Sequence, residues 1–246
     1  MNVAAIVALP VGAVVGSFAA TAGLRWTQGR QAILGRSHCD ACDIRLGFGA
    51  TVPILSYLRL GGACAGCRAP IHPGHLAGEA AGAGLAMASV LLLPIGPAIL
   101  AAMLGMALVT ASVADAVSRR LPDLLSVIVA VLGGALALQR GPAALLTGLV
   151  AATTTVALLL AMRWMFATKT GDPKMGLGDV KLAMALALWT GAATPWVFVI
   201  AGLTGLVQTR LNKTADGRIA FGPALALAGW SVGLALQAGM FGDMIP

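Results

Sequence analysis

Residues 96–114 read GPAILAAMLGMALVTASVA, an apolar run that ends immediately before Asp115. A transmembrane helix needs about 20 predominantly apolar residues to cross the hydrocarbon core of a bilayer. This run therefore predicts a membrane-spanning helix. The whole chain has the same character, because 59% of its 246 residues are hydrophobic and only 10% are charged. These values exclude a water-soluble globule, in which roughly 25% of residues carry a charge.

Seven further apolar windows predict an all-α membrane protein with about eight transmembrane helices. The predicted spans are 3–24, 76–94, 96–114, 123–139, 142–162, 178–192, 195–209 and 220–239. The 32 glycines and the 5% aromatic content favour closely packed helices over a β-barrel, whose strands end in aromatic girdles. We expect the first span to remain as a helix, because Met1-Asn2-Val3 lacks the positive charge that precedes a cleaved signal peptide.

The positively charged residues predict the orientation of these spans. With the amino terminus outside, every Lys and Arg except Arg140 falls on the cytoplasmic side. This distribution obeys the rule that cytoplasmic loops carry the excess of Lys and Arg. We therefore attribute the net charge of +7 to topology and expect no nucleic-acid partner, since no basic stretch is interleaved with aromatic residues.

One hydrophilic segment, 25–75, lies between the first two spans and contains all four cysteines. They form two pairs with two intervening residues, Cys39 with Cys42 and Cys64 with Cys67. This spacing is typical of a zinc ribbon, in which four thiolates bind one structural ion. Disulfides are the competing interpretation, but thiols stay reduced in the cytoplasm. Three nearby histidines are interpreted as ordinary loop residues, with metal ligation as the alternative: His38, His72 and His75.

Two acidic residues are predicted to lie at the same membrane depth on different helices. Asp115 ends the third span, and Asp179 begins the sixth, after Gly176 and Gly178. If these helices touch, one carboxyl group can activate a water molecule while the other protonates a scissile carbonyl, as in aspartic proteases. Glycine before Asp179 permits close approach of backbone or substrate. The alternative is that Asp179 is an ordinary acid at a helix N-terminus.

Three further charged residues lie near the predicted helix ends. Asp123 follows Pro122 in the first turn of a helix, where an acid suits the helix dipole. Glu79, near the start of the second span, is either a charge at the helix end or a binding group. Lys181 follows Asp179 by two residues and is expected to tune that carboxyl group or to reach lipid headgroups.

A proton- or cation-coupled transporter with a cytoplasmic metal-binding domain is the alternative function, because acids inside a membrane relay protons or bind cations. Such a protein lines a path through the bilayer with acids. Asp115 and Asp179 are instead predicted at one depth, and Asp243 is the one acid expected outside. A scaffold protein is a third option, but it leaves the paired acids unexplained.

The motifs in this order resemble those of the prepilin peptidases, also called type IV leader peptidases, a family of membrane aspartic proteases with a GxGD signature. The similar stretches are Gly16-Ser17-Phe18 with Arg25, Arg36-Ser37-His38-Cys39, Pro53 to Leu60, Glu79 after the cysteines, Asp115 with Leu121-Pro122-Asp123, Gly176 to Lys181, and Phe221-Gly222-Pro223. The chain departs from the family pattern at Ala19-Ala20, where Leu-Asn is usual, and at Asp40, where Pro is usual.

The resemblance implies that Asp115 and Asp179 are the catalytic pair, supported by Gly176, Gly178 and Lys181, and that the four cysteines bind zinc. It implies a bacterial inner-membrane protein whose active site faces the cytoplasm. The implied substrates are type IV prepilins or the pseudopilins of type II secretion, cleaved after a glycine.

The resemblance also implies a second activity, because many members methylate the new N-terminus with S-adenosylmethionine. Glu79 and Arg25 are the residues expected near the substrate or the methyl donor. The expected organisation has three parts: a first helix over 1–24, a zinc-binding domain over 25–75, and a membrane-embedded peptidase domain over 76–246.

Overall fold

The computed structural model describes residues 3–31, 37–171, 175–211 and 220–242. Met1, Asn2, Arg36 and Asp243 lie outside these ranges. The described residues form eight long helices and one short one: α1 Val3–Thr27, α2 Leu55–Arg59, α3 Pro73–Leu92, α4 Ile95–Ser118, α5 Asp123–Arg140, α6 Pro142–Thr170, α7 Leu177–Thr190, α8 Thr194–Leu211 and α9 Gly222–Gln237. The all-α prediction is confirmed, and each predicted span corresponds to one long helix.

The helix ends differ from the predicted spans by at most four residues, except that α6 extends to Thr170, eight residues beyond its predicted span. Within the described residues, six segments are long and apolar enough to cross a membrane, and one of them is the 34-residue stretch Leu177–Arg210. A 3-10 turn at Gly191–Ala193 divides this stretch into α7 and α8. With 14 residues, α7 is about 21 Å long, less than the roughly 30 Å of a bilayer core. The predicted span 178–192 ends only two residues beyond α7, because the apolar run continues into the turn.

Small residues bring α1 and α3 into backbone contact. A Cβ at Gly12 would overlap the carbonyl oxygen of Gly82, and one at Gly16 would overlap that of Gly78. The lower number on one helix faces the higher number on the other, so the two helices are antiparallel. Such close approach is the usual reason for small residues between transmembrane helices, where dispersion contacts replace the hydrophobic effect.

Helix α7 lies in the middle of the second half of the bundle. Its Trp189 is fully buried. A Cβ at Gly133 of α5 would lie 2.9 Å from the Cβ of Trp189, and Gly233 of α9 faces the indole ring from another side. Gly148 of α6 abuts the backbone of Leu188. Glycines on three helices therefore make room for α7, which carries Asp179.

The chain places several helix ends side by side. Asp115 near the end of α4 contacts Gly222 at the start of α9, and Gly178 near the start of α7 packs against Leu121, just before α5. We call this the aspartate end of the bundle. The last turn of α1 also packs against the last turns of α4. The segment 37–72, which joins α1 to α3, is therefore on the same side of the bundle as Asp115.

Candidate active site

Asp115 is a buried carboxylate held by the first residue of another helix. Its side chain is near the end of α4, and the residue is 5% exposed. The backbone N–H of Gly222 donates to Asp115 Oδ2 at 2.9 Å. The first N–H groups of a helix have no intrahelical acceptor, so the start of α9 supplies a donor for the carboxylate. Burial of this acid is thereby accompanied by a hydrogen bond, as burial of a polar group requires.

Asp179 lies in the first turn of α7 and is held by its own helix. Gly176 precedes the helix, and its backbone N–H donates to the Asp179 carboxyl group. A side chain in the first turn that accepts from the backbone N–H of the residue before the helix caps the start of that helix, as in a capping box. Gly178, next to Asp179, packs against Leu121, six residues beyond Asp115. The structure therefore places the two predicted acids at the same end of the bundle, on α4 and α7.

Lys181 bonds to an acid that the sequence analysis interpreted only as a helix-end charge. Its Nζ lies 2.7 Å from both carboxylate oxygens of Asp123, the first residue of α5. Its nearest acid is therefore Asp123 and not Asp179. This ion pair joins the starts of α5 and α7, with half-exposed Lys181 and exposed Asp123 side chains.

The four cysteines form one cluster, as their spacing predicted. Their sulfur atoms all lie within 4.8 Å of one another, and the sulfurs of Cys39 and Cys67 are 3.9 Å apart. A zinc ion about 2.3 Å from four tetrahedral sulfurs would place those sulfurs about 3.8 Å apart. All four residues are free thiols, which fits metal binding better than the disulfide interpretation. The cluster thus has the donor set and the size of a structural zinc site.

Each cysteine pair lies in a short loop closed by an antiparallel bridge, His38 with Arg45 and Ala63 with Pro70. Backbone N–H groups in these loops point at the sulfur atoms. Those of Cys67 and Gly66 lower the pKa of the Cys64 thiol to about 6. Such donors favour the thiolate, which is the form that binds a metal.

Different hydrogen bonds lower and raise the pKa of the Cys42 thiol. The backbone N–H of Ile44 lowers the pKa of its thiol, but hydrogen bonding to the Cys67 thiol and burial raise that pKa to about 12. Four adjacent sulfurs cannot all be ionised without a cation between them, because like charges disfavour one another. The same cluster is therefore better suited to a bound cation than to four free thiolates.

The three histidines lie outside this sulfur cluster among the described residues. His72 accepts a hydrogen bond from the Gly74 N–H and caps α3. His75 Nε2 lies 3.9 Å from Oδ2 of Asp40, a residue between the first two cysteines. Oδ1 of Asp40 lies 3.7 Å from Nε of Arg25. Asp40 therefore joins the first cysteine loop to α1 and α3.

A cavity of about 730 Å³ lies between α1, the start of α3 and the cysteine segment. Arg25 and Glu79 both line it, as do Tyr57 and His75. Arg25 is 7% exposed, and its Nε has no hydrogen-bond partner among the described residues. The expected binding residues thus lie together, about one cavity of the size that small molecules occupy.

Glu79 makes two hydrogen bonds within the protein. Ser17 donates its hydroxyl to Oε1 at 2.8 Å, and the backbone N–H of Ile54 donates to Oε2 at 2.6 Å. Ile54 has a φ of +63°, which is rare for a β-branched residue, and the N–H of Leu55 donates to the carbonyl of Pro53 across it. Glu79 therefore holds a strained turn of the cysteine segment against the membrane helices.

Sequence reasoning did not predict the contact between Gly222 and Asp115. The available signal was the Phe221-Gly222-Pro223 motif, with proline in the first turn of α9. It also did not predict that Arg140 donates to the Trp189 carbonyl at 2.6 Å. In each of these pairs, the two partners are too far apart in sequence to belong to one local pattern.

The arrangement supports acid–base chemistry at one end of a membrane bundle. Glu79, Asp123, Asp115 and Asp179 all lie at or near helix ends on that side. These described acids do not trace a route across the bundle, as the transporter alternative requires. Two interacting carboxyl groups can share acid and base roles toward one peptide bond.

Comparisons with known proteins agree with this interpretation. Residues 11–93 match the family described as Bacterial Peptidase A24 N-terminal domain, and residues 102–209 match the Type IV leader peptidase family. The chain is 34% identical over 203 residues to a prepilin leader peptidase/N-methyltransferase of Aeromonas hydrophila, covering 79% of this chain and 70% of that protein. No solved structure matches the chain at a significant level.

Two further relatives have the same kind of name. A prepilin leader peptidase/N-methyltransferase of Neisseria gonorrhoeae is 33% identical over 206 residues, with 80% of this chain and 70% of the relative covered. A type 4 prepilin-like proteins leader peptide-processing enzyme of Escherichia coli is 31% identical over 199 residues, with 80% and 74% covered. The two family matches follow one another along the chain, and these three relatives are each covered over more than two thirds of their length. The chain belongs to the type IV leader peptidase family.

Proposed function

We propose that this chain is a membrane aspartic endopeptidase that removes the leader of a type IV prepilin or of a type II secretion pseudopilin, cleaving after a glycine. One observation carries the proposal: Asp115 and Asp179 lie at the same end of the bundle, although they come from different helices. The names of the relatives describe leader processing, and this supports the assignment of the substrate class.

In this mechanism, one carboxylate takes a proton from the water that attacks the scissile carbonyl, and the other carboxyl group donates a proton to the carbonyl oxygen. The tetrahedral intermediate then breaks as the leaving amine takes up a proton. The hydrogen bonds from Gly222 and Gly176 hold the two acids for these steps. An extended substrate needs partners for its backbone groups, which a protein-lined site provides and lipid does not.

The test is cleavage of a purified prepilin precursor by the protein in detergent and in liposomes. Asp115→Asn and Asp179→Asn are each expected to reduce the cleavage rate by more than about 100-fold, the scale of lost acid–base catalysis. Asp123→Asn, which alters an acid at the same end, is the matched control and should keep most of the activity. Cleavage by either Asp115→Asn or Asp179→Asn would overturn the proposal. Ion flux through the same liposomes would then test the transporter alternative.

We also propose that the chain methylates the new N-terminus with S-adenosylmethionine bound in the cavity beside Arg25. The cavity favours this second function, because it is lined by the buried guanidinium of Arg25, a group that suits the carboxylate of an amino-acid ligand and whose Nε makes no hydrogen bond among the described residues and lies 3.7 Å from Asp40. Tyr57 adds an aromatic side chain to the lining of the same cavity. In this proposal Glu79 shapes the cavity, since both of its oxygens already accept hydrogen bonds.

The methyl-transfer proposal is tested separately from cleavage, with a peptide that is already cleaved and radiolabelled methyl donor. Arg25→Met should weaken binding of the donor, measured by calorimetry, and should leave cleavage of the precursor intact. Arg59→Met, which removes an exposed arginine that bonds to the Gly49 carbonyl, is the control. Donor binding that is unchanged in Arg25→Met would overturn the assignment of the cavity.

We further propose that the four cysteines hold zinc and that the segment 25–75 is a cytoplasmic domain beside the membrane-embedded part 76–246. Zinc bound by four thiolates has no open position, so its contribution is to stabilise the fold of the segment. In this orientation, every Lys and Arg except Arg140 lies on the cytoplasmic side, as in other inner-membrane proteins. After metal removal, an impermeant thiol reagent should label these cysteines in inverted vesicles and not in intact spheroplasts.

A further inference from the structure

We propose that Gly222 is a positioning residue for the peptidase reaction: its backbone N–H fixes the carboxylate of Asp115, and the absence of a Cβ is what allows the contact. This inference rests on the proposed peptidase function. It goes beyond that function because it assigns to α9 a role in the geometry of the two aspartates, which α4 and α7 carry.

The hydrogen bond itself is the first evidence. It joins residues 107 positions apart in the chain, and both are buried. Gly222 is the first residue of a 16-residue helix, so its N–H has no acceptor within α9. A free donor and a buried carboxylate thus satisfy one another, and the contact limits the orientations available to Asp115.

The glycine supplies the second evidence. A Cβ at position 222 would lie 2.7 Å from Oδ2 of Asp115 and 3.0 Å from its Cγ. The φ angle of Gly222 is not in the left-handed region, so its backbone conformation is open to other residues. Space beside Asp115, and not backbone conformation, is therefore the reason for glycine at this position.

Helix α9 is itself fixed against its neighbours, which a positioning role requires. Trp230 donates its indole N–H to the Ala101 carbonyl of α4 at 3.0 Å. At the start of α9, the ring of Phe221 packs over Gly205 of α8, 3.5 Å from the position that a Cβ of Gly205 would occupy. The donor at Gly222 is therefore held in place relative to α4 and α8.

The experiment compares Gly222→Ala with Gly202→Ala in the prepilin cleavage assay. Both variants add one methyl group to a helix in the same bundle, but a Cβ at Gly202 meets no atom within 4 Å. Gly222→Ala should lower kcat by about 100-fold, because misplacing a reacting group by about 1 Å has an effect of that size. KM should change by less than about twofold, because the substrate-binding surface is retained. Gly202→Ala should match the wild type.

A kcat for Gly222→Ala within threefold of that for Gly202→Ala would overturn the inference, and so would a rise in KM at unchanged kcat. If wild type fails to cleave, or Asp115→Asn cleaves, the proposed function fails instead. If Gly222→Ala does not fold, as judged by thermal unfolding in detergent, Phe221→Ala replaces it. That variant loosens the start of α9 without adding atoms, and a normal kcat would again overturn the inference.

Discussion

At the scale of single residues, the two glycines before Asp179 have different neighbours. A Cβ at Gly176 would make an ordinary contact, 3.4 Å from Asp179 Oδ2. A Cβ at Gly178 would lie 2.9 Å from the Cβ of Leu121, closer than real Cβ contacts. Of the two, only Gly178 is needed to let α7 approach the chain between α4 and α5.

We therefore predict that Gly178→Ala and Gly176→Ala differ in the cleavage assay. Gly178→Ala moves the start of α7 away from Leu121 and should reduce the cleavage rate at least about 10-fold, since small misplacements of catalytic groups are costly. Gly176→Ala should stay within threefold of wild type. Equal losses would contradict this explanation and would indicate that both positions are needed for substrate approach. Thermal unfolding of both variants controls for general destabilisation.

Glu79 acts on the backbone of a segment that is distant in sequence. Its Oε2 accepts the N–H of Ile54, whose φ of +63° is strained. Strained conformations of this kind cost about 1–3 kcal/mol and persist only where the surrounding structure enforces them. Removing the carboxylate therefore removes the contact that holds this turn.

We predict that Glu79→Ala increases hydrogen exchange in peptides covering residues 48–60 and leaves exchange in α4 and α7 unchanged. The variant leaves the Ile54 N–H without its partner, at a cost of about 1–3 kcal/mol. Methyl transfer should fall, because this turn borders the cavity, while leader cleavage continues. Ser17→Ala, which removes only the other hydrogen bond of Glu79, should have the smaller effect. Unchanged exchange in Glu79→Ala would refute the role of this contact.

At the scale of helices, α5 holds α7 at both ends. At the aspartate end, Asp123 pairs with Lys181 at 2.7 Å. At the far end, Arg140 donates to the Trp189 carbonyl in the last turn of α7 and to Gln237 of α9 at 2.8 Å. These contacts have unequal environments, because the pair at the aspartate end is exposed to solvent and Arg140 is partly buried.

The difference in burial predicts a difference in stability. Arg140→Met leaves two acceptors without their charged donor, and hydrogen bonds to charged groups contribute about 1.5–3 kcal/mol. Lys181→Met breaks a solvent-exposed pair, which contributes at most about 1 kcal/mol. Thermal unfolding in detergent should thus show a larger decrease for Arg140→Met, with Arg140→Lys between the two. A larger decrease for Lys181→Met would contradict the ranking, and high salt should weaken only the Lys181 contribution.

At the scale of the whole molecule, local patterns predicted the elements and not the contacts between them. Apolar windows predicted eight helices, and the cysteine spacing predicted the sulfur cluster. The pairs Lys181–Asp123, Arg140–Gln237 and Asp115–Gly222 join residues 58, 97 and 107 positions apart. Such pairs depend on which helices become neighbours, and that is decided by the packing of small residues along several helices at once. No single stretch of sequence contains this information.

The whole molecule also consists of two parts with different sources of stability. The helices pack through small apolar residues, whereas the described cysteine segment buries few large apolar side chains and meets α1 and α3 through polar contacts such as Asp40 with Arg25. We therefore propose that this segment, which has little core of its own, depends for folding on the zinc proposed above. Loss of the metal should therefore unfold this segment and spare the bundle.

We predict about one zinc per chain by elemental analysis, as one ion per four thiolates requires, and a substoichiometric amount in Cys39→Ser. In that variant, and after chelation of the wild type, limited proteolysis should cut between residues 37 and 72 while the helices from α4 onward stay intact. Methyl transfer should be lost, because the segment forms one side of the cavity. Cleavage should persist at a reduced rate, because Asp115 is held by the start of α9 and Asp179 lies on α7, outside this segment. Arg59→Ala, an exposed change in the same segment, should keep the zinc. If chelation instead unfolds the whole bundle, the two parts are not independent, and the metal stabilises the peptidase itself.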